Sequence, residues 1–184
     1  KGNKIIEILA AAIPMDALFM GKLFAMLGVS LVGLTVWGTA AGAIILLGEG
    51  ALPEIPPPAV GWPLFFALFV IYFAMSYLLI GSVFITIGSM APTVRDVQTI
   101  SLPATILNLV IFFLSMFALS RPGSLIEVAA AFFPLSSPYM MLARAALNEV
   151  VWWHVAAIAW QMLWVAIFVK VGAGLFRRQV LKSG

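Results

Sequence analysis

The chain has 184 residues, of which 64% are hydrophobic and only 9% charged. Its mean hydropathy is +1.14, far outside the range of soluble globular domains. Several apolar runs of twenty or more residues make it a polytopic helical membrane protein. It contains no cysteine and one histidine, which excludes a disulfide framework, a thiolate nucleophile and a His-based metal site. The net charge of +3 is too small, and too scattered, to point to nucleic acid. It bears on membrane topology instead. The chain opens on Lys1-Gly2-Asn3-Lys4 without a Met, so the expectation is a portion of a longer protein.

Residues 1–22 come first and organise the rest. Ile5, Ile8, Leu9 and Ala12 recur on one face of a short helix, with Asn3, Lys4 and Glu7 on the others. Pro14 ends that pattern and pushes Ile13 towards an extended backbone. Asp16 is then the expected cap of a second helix that carries Lys22 to the water boundary. A segment this short and amphipathic lies along a membrane surface or in a groove on a partner.

The first span is predicted over 23–47, charge-free and long enough to cross with some tilt. Its Gly38-Thr39-Ala40-Ala41-Gly42 fits the small-xxx-small pattern of close helix packing, expected here within the same subunit. Glu49 to Gly61 reads as a loop, since Pro53, Pro56, Pro57 and Pro58 forbid regular helix. The second span, 62–90, starts at the interfacial Trp62 and carries an aromatic stripe including Phe69, Phe73, Tyr77 and Phe84. That stripe reads as lipid-facing or core rather than as a binding site. Ala91 to Thr99 reads as a short turn with Arg95 and Asp96. The third span, 100–119, has Pro103 in its first turn and Asn108 as its main polar intrusion.

Residues 121–150 do not pattern as a plain loop. Ser124 to Phe133 is apolar with helical spacing, Pro134 and Pro138 interrupt it around Leu135-Ser136-Ser137, and Tyr139 to Leu147 resumes. Each half is about half the length a crossing needs. The expectation is an external re-entrant hairpin, with a surface-lying helix pair as the alternative. Glu127 and Arg144 could pair within it. The fourth span, 151–171, opens on Trp152-Trp153-His154, an interface belt in which His154 reads as an ordinary boundary residue.

With the N-terminus placed in the cytoplasm, Lys1, Lys4, Lys22, Arg95, Arg177, Arg178 and Lys182 fall inside and only Arg121 and Arg144 outside. Lys170 can snorkel inward. This asymmetry puts both termini in the cytoplasm of a cell whose inner (plasma) membrane holds the protein. Asp and Glu are confined to predicted loops and helix ends, against a proton relay. No phosphate-binding GxxxxGK[ST] loop, HExxH or GxSxG motif occurs. The spans hold only mild polarity, and the candidates for lining a pathway are Asn108 and Gln161, the deepest.

In this order the features resemble a known family. Lys4-Ile5-Ile6-Glu7-Ile8-Leu9, then Pro14, then Gly21-Lys22, resembles the segment before a span in permeases of the ABC-2 type transporter family, in its sodium-exporter-like branch. Gly88-Ser89-Met90-Ala91 with Arg95-Asp96 and Gln98 is similar to that family's short cytoplasmic turn. Phe133-Pro134-Leu135-Ser136-Ser137-Pro138 with Met141-Leu142-Ala143-Arg144 is similar to its external segment. Ala12-Ile13-Pro14 departs from the pattern, since many relatives carry a hydroxyl residue before the proline.

The resemblance implies the C-terminal part of an exporter permease that is not itself an enzyme. It implies four spans behind a cytoplasmic coupling helix, with the external hairpin before the last span. A separate cytosolic ABC ATPase would hold ATP and Mg, leaving no cofactor in this chain. That ATPase would meet Lys4, Ile5, Glu7, Ile8, Leu9, Ala12 and Pro14. A second permease subunit, identical or not, would complete the assembly in the bilayer. The alternative is a non-transporting membrane scaffold that binds a cytosolic partner through the same helix.

Overall fold

The computed structural model describes residues 13–48 and 56–183. Among them are six α-helices and no strand: α1 (Met15–Leu47), α2 (Trp62–Met90), α3 (Val94–Leu119), α4 (Leu125–Phe132), α5 (Ser137–Leu147) and α6 (Trp152–Ser183). Four of these, α1, α2, α3 and α6, are long and apolar enough to cross a membrane.

Each helix starts where local chemistry allows. α1 begins directly after Pro14, whose φ of −57° and ψ of 133° supply the non-helical residue before Met15. The cap therefore falls on Pro14, and the expectation that Asp16 caps this helix is corrected. Asp16 sits inside the first turn, where its carboxylate meets the positive end of the helix dipole. α2 starts at Gly61, held at φ 79°, a left-handed conformation that glycine adopts without strain. The Gly61 N–H closes a turn onto Pro58 O at 2.8 Å.

α3 begins earlier than the sequence suggests. Thr93 Oγ1 accepts from the Asp96 N–H at 3.2 Å and donates to Asp96 Oδ2 at 2.6 Å, a reciprocal cap. The turn after α2 shrinks to residues 91–93, and Pro103 falls inside α3 rather than in its first turn. A proline there removes one ladder hydrogen bond, which membrane helices tolerate when neighbours compensate. α4 is capped by Ser124, whose Oγ accepts from the Glu127 N–H at 3.3 Å. α6 runs on as helix through Arg177 and Arg178, well past residue 171.

α2 is the centre of the bundle. It packs most extensively on α6 and also on α1, α3 and α5. Three apolar clusters hold the assembly. Phe19 and Leu23 of α1, Ile85 of α2 and Ala173 of α6 form the first. Leu68 and Tyr72 of α2 meet Met141 and Ala145 of α5 in the second. Ala118 of α3, Ala130 of α4 and Met140 of α5 make the third. Between helices in lipid the attraction is close packing plus hydrogen bonds, not withdrawal from water, so shape at these contacts decides the fold.

α1 joins the bundle only through its first half. Its buried residues end at Leu27, and Trp37 is 78% exposed. A Cβ built on Gly38 or Gly42 would meet nothing within 4 Å. The expected intrasubunit packing of that small-residue motif is thus absent among the described residues, because α1 has already diverged from α2.

Candidate functional site

Two regions concentrate polar and close-packed groups, one at each end of the bundle. At the first, the start of α1 meets the end of α2 and the end of α6. Phe19 stacks at a tilt on Phe176 with ring centroids 5.7 Å apart. Gly172 lets α6 come so near that a Cβ on it would lie 2.9 Å from both Phe19 Cζ and Thr86 Oγ1. Asp16 Oδ2 and Arg177 Nη1 lie 3.4 Å apart. Both side chains are half-exposed, so this pair contributes roughly 0–1 kcal/mol. Its interest is positional: it ties the residues just after Pro14 to the last turns of α6.

Of the predicted partner-contact residues, only Pro14 is described here. Lys4, Ile5, Glu7, Ile8, Leu9 and Ala12 lie outside the described residues. Arg95 and Asp96 occupy the first turn of α3 at this same end.

The second region is the α4–α5 hairpin. The Ala59 and Val60 N–H groups donate to Ala146 O and Ala145 O at 3.0 and 3.3 Å. α5 then runs antiparallel to α2, and its opposite end brings Tyr139 to Ser76, midway along α2, at 3.3 Å. Pro134, Ser136, Ser137 and Pro138 form the tip. Ser136 Oγ closes it by donating to Ala130 O at 2.7 Å. Ser137 is fully buried and its Oγ accepts from Gln161 Nε2 at 2.9 Å.

Arg144 Nε pairs with Glu127 Oε1 at 3.3 Å. The other Glu127 oxygen accepts from the Gly123 N–H at 2.6 Å. Gly123 has φ 78°, which suits glycine at this reversal. Arg144 also lies over the Trp153 ring, 5.8 Å from its centroid.

The two candidate pathway residues are not brought together. Asn108 Oδ1 accepts from Tyr139 OH at 3.5 Å, and Gln161 binds Ser137 from the far side of α5. Both reach the first turn of α5, Gln161 through the shorter bond. Gln161 is fully buried, and its Oε1 has no protein partner among the described residues.

His154 is a correction. It is 2% exposed rather than a boundary residue, and it shares a 2.8 Å hydrogen bond through Nδ1 with the buried Tyr72 hydroxyl. Trp152 and Trp153, stacked 4.0 Å apart, stay exposed on the same turn. The sequence signal was the helical spacing, which turns His154 inward while its two neighbours face out. Tyr72→Phe should leave the imidazole nitrogen buried and unpaired at about 1–3 kcal/mol. Thermal unfolding in detergent should show Tm lowered by about 2–12 °C.

Four helices long and apolar enough to cross a membrane, with a polar-stitched helical hairpin packed against them, define a polytopic membrane protein. A sequence model described as ABC-2 family transporter protein matches residues 1–176. The chain belongs to that family. It is 27% identical over 193 aligned positions to the uncharacterized protein YhaP of Bacillus subtilis (strain 168), covering all of this chain and 45% of that relative. It is also 25% identical over 150 positions to the uncharacterized protein MJ1024 of Methanocaldococcus jannaschii, covering 81% of this chain and 35% of that one. The chain thus spans less than half the length of these curated relatives. No solved structure matches it.

Proposed function

We propose that this chain is the membrane-embedded part of an exporter driven by a separate cytosolic ABC ATPase, which binds ATP and Mg and does the hydrolysis. The observation that carries this reading is the family match over residues 1–176. The contacts behind Pro14 supply a route for the work. Pro14 sits directly before Met15, so displacement of the preceding segment would pass straight into α1. Phe19, Leu23 and the Asp16–Arg177 pair then hand it to α6 and α2. A closing ATPase would bias a two-state arrangement of these helices.

In this reading Ile5, Ile8, Leu9 and Ala12 fill a groove on the ATPase while Lys4 and Glu7 make polar contacts. The basic residues Lys22, Arg95, Arg177 and Arg178 gather at that end, which supports a cytoplasmic placement in the inner (plasma) membrane. The α4–α5 hairpin then enters the outer half of the bilayer. Gln161, which holds its tip, lies nine residues into α6, about 14 Å deep at 1.5 Å per residue. That is half of a hydrocarbon core of roughly 30 Å. A second permease subunit completes the pathway.

The test pairs the full-length permease with its cognate ABC ATPase. Glu7→Ala and Leu9→Ala should weaken association and reduce stimulation of ATP hydrolysis by about tenfold, the equivalent of roughly 1.4 kcal/mol. Unchanged association together with unchanged stimulation would reject the lever. Labelling of single introduced cysteines before Pro14 and at Arg95 should come from the cytoplasmic side alone.

A further inference from the structure

A groove of about 480 Å³ opens between α1, α2 and α5, within the size range of small-molecule sites. Phe69, Phe73, Tyr77 and Phe84 of α2 line it, their spacing keeping them on one side of the helix. The first three rings follow one another at 6.5 and 6.0 Å between centroids. From Phe69 to Phe84 the wall is about 22 Å long at 1.5 Å per residue. Halfway along it, Ser76 and Tyr139 are among the lining residues, with their hydroxyls 3.3 Å apart.

From this geometry we infer that the groove binds an uncharged, largely apolar molecule with a carbonyl or hydroxyl between two apolar parts. The inference rests on the exporter reading and names the class of its substrate. Three observations carry it. No ionisable group other than tyrosine lines the groove among the described residues, so an ion entering it would lose its hydration without gaining a counter-charge.

The central hydroxyls are also loosely held. Ser76 Oγ to Tyr139 OH is 3.3 Å and Tyr139 OH to Asn108 Oδ1 is 3.5 Å, against about 2.7–2.8 Å for a strong O–H···O bond. The structural bonds nearby, Tyr72–His154 and Gln161–Ser137, are 2.8 and 2.9 Å. Ser76 and Tyr139 can therefore turn to a ligand at little cost, whereas those other groups cannot.

Finally, Ser76, Tyr77 and Tyr139 gather the groove's hydroxyl-bearing residues near the middle of α2, with Phe69 and Phe73 on one side and Ile80 and Phe84 on the other. A bilayer phospholipid keeps its polar head at the interface and would leave these hydroxyls facing hydrocarbon.

Benzophenone, whose carbonyl lies between two apolar rings and which inserts into C–H bonds on illumination, is the probe. It is applied to the full-length permease in phosphatidylcholine nanodiscs without the ATPase. Saturable labelling should map to α2 and α5 around Ser76 and Tyr139. Ser76→Ala and Tyr139→Phe should each weaken binding about tenfold, as expected for one lost hydrogen bond. A trimethylammonium derivative at tenfold higher concentration should not compete.

Unsaturable labelling spread over the exposed faces of α1 and α3 would overturn the proposal. So would equal binding in the variants, or equal competition by the charged derivative. A phospholipid retained in native mass spectra that benzophenone cannot displace would also overturn it, marking a resident lipid. Because labelling needs no ATPase, saturable labelling without ATP-driven movement retires the exporter reading alone. ATPase coupling without saturable labelling retires this inference alone.

Discussion

Gly172→Leu should uncouple the first half of α1 from α6. A Cβ at this position already lies 2.9 Å from Phe19 Cζ and Thr86 Oγ1 and 3.4 Å from the Ser82 carbonyl. Phe19 is fully buried, and Thr86 is held by its hydroxyl donating to that same Ser82 oxygen at 2.7 Å. Neither has room to retreat. Overpacking of a close-packed site costs about 1–3 kcal/mol, and a branched side chain will exceed the single Cβ clash. Gly172→Ala is the informative control. It recovers up to about 1 kcal/mol of helix propensity, which offsets part of the clash. Alanine should thus lower Tm slightly, and leucine should lower it several times as far. If α1 and α6 carry the ATPase's work, leucine should also abolish substrate-stimulated ATP hydrolysis while ATPase association persists through residues 1–12. Leucine with wild-type Tm and coupling would show that this contact is not transmitted.

Glu127→Ala should loosen the hairpin. The carboxylate serves two donors at once, Arg144 Nε at 3.3 Å and the Gly123 N–H at 2.6 Å. Its side chain is 11% exposed and that of Arg144 27%, so water screens the pair only in part. An exposed pair contributes about 0–1 kcal/mol, and breaking a buried one costs about 3–5 kcal/mol. Partial burial places this substitution near 2 kcal/mol. Glu127→Gln keeps an acceptor for Gly123 and should cost less. A double-mutant cycle with Arg144→Ala separates the two contributions, because only the charge pair appears in the coupling term. Thermal unfolding supplies all four corners. A coupling energy near zero would mean that the arginine is held by its contact with Trp153 and not by the carboxylate.

These two sites differ in how far they could be read from residues alone. Glu127 and Arg144 stand in one short segment, each near the end of a half-length apolar stretch, so their pairing could be anticipated. Gly172 could not: it lies in an apolar run with nothing to distinguish it from Gly174, which meets nothing within 4 Å. His154 misled the sequence reading because two tryptophans beside it signal an interface. Facing is set by the 100° step between residues, and that step buries the third side chain against Tyr72. The aromatic stripe of α2 reads as lipid-facing or core, yet α5 and α1 stand off from it and leave a groove.

Hydropathy and local chemistry were enough to specify a four-span helical protein with a broken helical pair before the last crossing. Apolar runs of spanning length have no other stable form in lipid, and prolines and caps act on their own neighbours. The family likeness was legible for the same reason, being carried by short contiguous motifs. Which faces meet was decided only in three dimensions. Packing inside a membrane depends on shape and on single hydrogen bonds between residues far apart in the chain, such as Tyr72 with His154 and Ser137 with Gln161. A string of equally apolar residues does not encode those pairings in any pattern visible along its length.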